Sequence, residues 1–192
     1  MRVIPMTMEA CLKQLEPADA EELFWLTDVN RAYLRQWLPW LDIVREVKDT
    51  AQFIALTIDQ HKRRQGTHYG IWYKGRLAGT LGVHSIDWNN RKTSIGYWLG
   101  EQFQGKGLMT QAVAAYLDHL VFGEWNLERV AIQAATGNVK SRAIPERLGF
   151  QLEGVLRSNE FLYDHFVDHA VYSMLAAEWR GRRSAGMSRS GI

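Results

Sequence analysis

Between Thr67 and Gly100 the chain keeps a two-residue period. THYGIWY, LAGTLGVHSI and KTSIGYWLG are rich in β-branched and aromatic residues, and the turns Lys74-Gly75-Arg76 and Trp88-Asn89-Asn90 separate them. Runs of this kind, bounded by turn formers, read as three strands of a meander. Strands joined by turns this short pair antiparallel. An antiparallel sheet therefore lies mid-sequence, and what precedes and follows must cover it.

Before the sheet, MEACLKQL (residues 8–15) alternates loosely and stops at Glu16-Pro17, which predicts a strand. From Asp19, Leu23, Phe24, Leu26 and Val29 recur at helical spacing. A second helical patch covers RAYLRQWLPW up to Pro39, and a third helix is expected over 49–64, with Gly66 as its stop. After the sheet, Leu108, Met109, Ala112, Val113, Tyr116, Leu117 and Leu120 share one helical face. ERVAIQAA follows as a strand, Asn138 to Leu148 as a short helix ended by Gly149, and about 150–161 and 166–175 as two final strands. This order predicts an α+β fold, one domain over 1–180 with a central mixed, mostly antiparallel sheet flanked by helices.

Composition narrows the function. At 192 residues, 46% hydrophobic and 23% charged, the chain fits an ordinary soluble domain. A net charge of +2 with scattered basic residues argues against direct nucleic-acid binding. The single cysteine, Cys11, excludes an internal disulfide framework and reads as a core residue in a reducing compartment. MRVIPMTMEA lacks an apolar signal region and no run is long enough to span a membrane, so a cytoplasmic protein is expected. Residues 181–192, GRRSAGMSRSGI, have the composition of a disordered tail.

The stretch LGEQFQGKGLMTQA (99–112) carries glycines at 100, 105 and 107 between a strand and a helix. Unpaired amides at a helix start bind anions, and glycines let phosphate oxygens approach the backbone. A plain chain-reversing turn satisfies the glycines alone equally well. The nucleotide loop Gly-x-x-x-x-Gly-Lys-Ser/Thr matches from Gly100 to Lys106, but Gly107 stands where the magnesium-binding hydroxyl belongs.

Gln102-Phe103-Gln104-Gly105-Lys106-Gly107 satisfies a different pattern in full. It resembles the pyrophosphate motif of the Gcn5-related N-acetyltransferases, the GNAT family, written Arg/Gln-x-x-Gly-x-Gly/Ala. The run ATGNVKSRAIPERLGFQLEG, with Asn-x-x-Ser-Arg closing on Leu-Gly-Phe, is similar to the same family. WLPWLD and VDHAVYSML resemble its ribosomal-protein N-terminal acetyltransferase branch, so the resemblance covers nearly the whole chain.

The resemblance implies acetyl-CoA as cosubstrate and direct transfer to a primary amine in a ternary complex, without a metal. In such proteins the strand Tyr97-Trp98-Leu99 parts from its neighbour and pairs with the pantetheine arm. The amides of Gln104, Gly105, Lys106, Gly107, Leu108 and Met109 would hold the pyrophosphate, with Lys106 and Thr110 as extra contacts. Asn138 caps the next helix and touches the cofactor arm, while the Ser141 hydroxyl protonates the departing thiolate. Glu160, in SNEFLYD, stands where the branch has a proposed general base. Trp37 and Trp40 either line the acceptor groove or pack in the core. The implied acceptor is the N-terminal α-amine of a ribosomal protein. A small amine (polyamine, antibiotic or metabolite) and a non-catalytic CoA-binding module are the alternatives. The branch also suggests a homodimer, with no membrane contact. Asp164-His165 and Asp168-His169 lack a third ligand, which argues against a metal site.

Overall fold

The computed structural model describes residues 2–189, and for residues 84, 183 and 185–189 the backbone alone. Its strands are β1 Val3–Pro5, β2 Ala10–Gln14, β3 Thr67–Tyr73, β4 Arg76–Asp87, β5 Lys92–Leu99, β6 Arg129–Ala135, β7 Gln151–Leu162 and β8 His165–Leu175. They form one eight-stranded sheet in the order β1-β2-β3-β4-β5-β6-β8-β7. Every neighbouring pair is antiparallel except β5 and β6, whose long helical connection returns the chain in the same direction.

The helices are α1 Ala20–Val29, α2 Arg31–Leu34, α3 Val47–Lys62, α4 Leu108–Tyr116, α5 Val139–Leu148 and α6 Ala176–Arg189. α1 and α3 cover one face of the sheet; α4 and α5 cover the other. All seven apolar residues of the stripe from Leu108 to Leu120 are buried, and the helix continues past Tyr116 as a π-helical segment to Glu124. Under it lie Tyr69, Ile71, Leu81 and Val83, each fully buried. Tyr69 and Tyr116 meet edge to face at 5.8 Å. Burying each large side chain contributes roughly 1.5–3 kcal/mol, an upper bound set by the extended-chain reference. The sheet is thus anchored where the glycine stretch turns into α4.

Three elements differ from expectation. β1 is an additional strand, paired through Ile4 and Leu12; three residues ending in proline carry no readable period. The patch RAYLRQWLPW is helical only to Leu34. Beyond it the Tyr163 hydroxyl donates to the Leu38 carbonyl at 2.6 Å and accepts from the Leu41 amide at 3.2 Å, which draws those groups into turns. The end of α6 runs into the stretch read as a tail, and 190–192 lie outside the described residues.

Candidate active site

β5 and β6 pair in register from Lys92↔Arg129 to Ile95↔Ile132, and there the pairing ends. β5 continues to Leu99 against β4 alone, while β6 continues to Ala135 against β8. The two strands therefore part beyond Ile95. The Gly100 amide donates to Ala78 on β4 at 2.9 Å. Alternation along the strand then turns the N–H and C=O of Tyr97 and Leu99 away from β4, toward the gap.

At the end of β5 the chain makes one 3-10 turn, Glu101–Phe103, and reaches Gly105 and Gly107. Both adopt left-handed backbone, with φ of 73° and 72°. Side chains other than glycine rarely take this conformation, so the motif's glycines are needed for the path itself. Gly107 is the N-cap of α4 and gives no side-chain cap. The first helical bond is Gln111 N–H to the Gly107 carbonyl at 3.1 Å. The amides of Leu108, Met109 and Thr110 consequently lack helical partners and carry the partial positive charge of the helix start.

The gap and this turn open into one cleft of about 930 Å³. Trp98, Leu99, Gln104, Gly105, Gly107, Leu108, Met109 and Thr110 line one side; Asn138 and Ser141 line the other. Asn138 caps α5 by accepting the Ser141 N–H at 3.1 Å. The Tyr97 hydroxyl donates to the Ser141 carbonyl at 3.0 Å. Lys140 reaches Gln104 Oε1 at 3.0 Å and lies over the Tyr33 ring, while Arg147 donates to the Thr110 hydroxyl at 2.8 Å. These bonds tie α5 to the end of β5, to Gln104 and to α4. Tyr33, Lys140 and Arg147 are absent from the expected site; the seven-residue spacing along α5 is the sequence signal for the two cations, and none marks Tyr33 on α2.

Trp37 also lines the cleft and packs beside Gly137. Three other expected residues are not part of its lining. Lys106, between two left-handed glycines, lines a smaller adjoining hollow with Thr7, Glu9 and Tyr73. Trp40 leans on Trp98, ring centres 6.3 Å apart. Glu160 stands on β7 opposite Val167, and the pairings carry its side to the face that bears Trp98. There its Oε2 lies 3.3 Å from His169 Nε2, within ion-pair range but outside hydrogen-bond geometry. The bulge between Leu156 and Glu160 also brings Asn159 onto this face, with Nδ2 3.1 Å from His169 Nδ1. Tyr163 ties this hairpin to the loop at 38–41, and Arg35 stacks over its ring at 3.6 Å while pairing with Asp42. That pairing holds the Asp42 carboxyl below its usual range.

Among the described residues, no three His, Cys, Asp or Glu side chains gather to hold a metal, and no helix is long and apolar enough to cross a membrane.

Residues 10–151 match the acetyltransferase (GNAT) domain. The chain is 40% identical over 177 residues to the putative ribosomal N-acetyltransferase YdaF of Bacillus subtilis (strain 168), covering 90% of this chain and 94% of the relative. It is 32% identical over 154 residues to the ribosomal-protein-serine acetyltransferase of Escherichia coli (strain K12), covering 80% and 85%. Its structure superposes on RimL, a ribosomal α-N-protein acetyltransferase in complex with coenzyme A, with a TM-score of 0.87 at 29% identity, over 91% of this chain and 98% of that one. A matched domain over most of the chain and a relative at 40% identity place the splayed strands and glycine turn in one context: the chain belongs to the GNAT acetyltransferase family and is an N-acetyltransferase.

Proposed function

We propose that this N-acetyltransferase takes acetyl-CoA as its donor and the N-terminal α-amine of a ribosomal protein as its acceptor. The observation that carries the reading is that two unpaired backbone arrays face one cleft: the free edge of β5 at Tyr97 and Leu99, and the amides that begin α4. The first suits an extended arm added like a strand. The second suits a pyrophosphate. A Cβ at Gly105 would meet no described atom within 4 Å, so this backbone is open to a ligand. Lys140 and Arg147 add positive charge at the rim.

Bound there, acetyl-CoA supplies an acetyl thioester. The Leu99 N–H, turned to the gap, is placed to stabilise negative charge on a carbonyl oxygen. The Ser141 hydroxyl gives a proton to the departing sulfur and regains one from solvent, which the proton leaving the acceptor amine replaces. Glu160 receives the acceptor's proton through water. An α-amino group titrates near about 8 and a lysine near about 10.4, so the neutral fraction at pH 7 is about 250-fold larger for the α-amine. A carboxylate outside the cleft lining can meet that smaller demand. RimL and the Escherichia coli relative, named for ribosomal-protein acetylation, support the acceptor class. Action in the cytoplasm accords with this acceptor. The homodimer is supported by β7, at the sheet edge with Leu152, Val155 and Phe161 exposed beside Phe166.

Calorimetric titration with acetyl-CoA, and separately with ATP and magnesium, tests the donor. Mass spectrometry of ribosomal-protein N-terminal peptides and of spermidine after incubation tests the acceptor. Acetyl-CoA binding with peptide acetylation is expected. Silence toward acetyl-CoA overturns the donor assignment, and acetylation of spermidine alone overturns the acceptor.

A further inference from the structure

Pro145 lies inside α5 without breaking it. A proline has no N–H, so the carbonyl four residues earlier loses its helical donor. In α5 that carbonyl belongs to Ser141, and it is the oxygen to which the Tyr97 hydroxyl donates at 3.0 Å. A side chain from the splayed end of β5 thus replaces the helix's missing bond. Burial pushes the Tyr97 phenol well above its ordinary titration range, so it stays a protonated donor.

We propose that Tyr97 is a positioning residue that sets the Ser141 hydroxyl in the cleft by holding the carbonyl Pro145 leaves open. The inference rests on the reading of Ser141 as the proton donor to the leaving sulfur. Ser141 is gripped at both main-chain groups: its N–H by Asn138 Oδ1 at 3.1 Å and its C=O by Tyr97. With both fixed, its Cα–Cβ direction is fixed as well. The backbone of Tyr97 faces the gap while its ring reaches α5, so one residue sets the distance between the cofactor edge and Ser141. A proline that would ordinarily weaken a helix here hands control of its first turn to the neighbouring strand.

The test is a rescue. Tyr97→Phe keeps the ring and removes the donor; Pro145→Ala returns an N–H to the Ser141 carbonyl. With a ribosomal-protein N-terminal peptide and acetyl-CoA, Tyr97→Phe should lower kcat about tenfold while leaving the KM for acetyl-CoA unchanged. Pro145→Ala alone should fold and turn over normally, and the double variant should regain kcat. In the free protein, hydrogen exchange of the Arg142 amide, which bonds Asn138 at 3.0 Å, should quicken about fivefold in Tyr97→Phe and slow again in the double variant. Unchanged kcat and exchange in Tyr97→Phe overturns the inference, and so does a loss that Pro145→Ala fails to rescue. Ser141→Ala separates the two readings. If it leaves turnover intact, the proton-donor role falls; if it slows turnover while Tyr97→Phe does not, the positioning role falls alone.

Discussion

Glu160 on β7 and His169 on β8 approach each other at 3.3 Å on the sheet face that carries Trp98. The bulge that ends before Glu160 makes this meeting, since regular alternation would send Asn159 and Glu160 to opposite faces, yet both reach His169. Glu160→Gln keeps the shape and removes the proton acceptor. Turnover should fall about 10²-fold, the low end for a general base. The deficit should widen as pH drops below about 8, where an α-amine carries the proton that must leave, and shrink above it. Parallel pH–rate profiles for the two proteins would strip Glu160 of this role.

Gly105→Ala and Gly107→Ala separate conformational strain from ligand contact. Each residue sits at a φ near +72°, where a side chain costs about 1–2 kcal/mol. Neither new Cβ would clash with the protein, so melting should drop modestly. Acetyl-CoA affinity should fall tenfold or more, because the added carbon stands over the amides; calorimetry measures it. Undiminished affinity would move the phosphate site elsewhere.

Asn138→Ala removes the cap that accepts the Ser141 N–H. The helix should lose about 1 kcal/mol. Thermal melting should show that loss, and the KM for acetyl-CoA should rise while β-sheet circular dichroism is unchanged.

Acid stability carries a further signature. Arg129 grips Glu153 with two hydrogen bonds, and the Ser173 hydroxyl adds another, which hold the Glu153 carboxyl at about 2. Its unfolded value is about 4.3, so the stabilisation is present above that pH and is lost as pH falls toward about 2. The pair is partly exposed, and its worth is about 1 kcal/mol or less. Glu153→Gln should flatten the stability curve across this window and leave the slope above pH 5 unaltered, as melting at stepped pH would reveal.

The meander and the α4 stripe were legible because local pattern and tertiary role agree there: Tyr69, Leu81 and Val113 are buried where period predicts. The loop after Leu34 was not. Its turns are set by Tyr163, more than a hundred residues away, and no local propensity encodes that bond. The glycine motif showed which backbone turns into the cleft but not that Lys106 lines the adjoining hollow instead. Glu160 came from resemblance; its meeting with His169 depends on a bulge whose signal, Ser158 at φ +49°, is invisible in a residue's name. Tyr97 was legible only as part of a strand, while its partner, the Ser141 carbonyl that Pro145 leaves open, emerges only in three dimensions.

β5 sends Tyr97 toward α5 and Trp98 toward Trp40, two successive side chains to opposite faces. The count of residues from Ile95, where pairing with β6 stops, to Gly100, where β4 holds the last amide, is therefore a fixed ruler. A point substitution along it alters one contact. A single-residue insertion or deletion exchanges the two faces wholesale and turns every cleft-facing amide back into the sheet. Length variation in this protein's lineage should accordingly collect in the outer loops, and a library of one-codon insertions should find this six-residue stretch among the least forgiving in the chain.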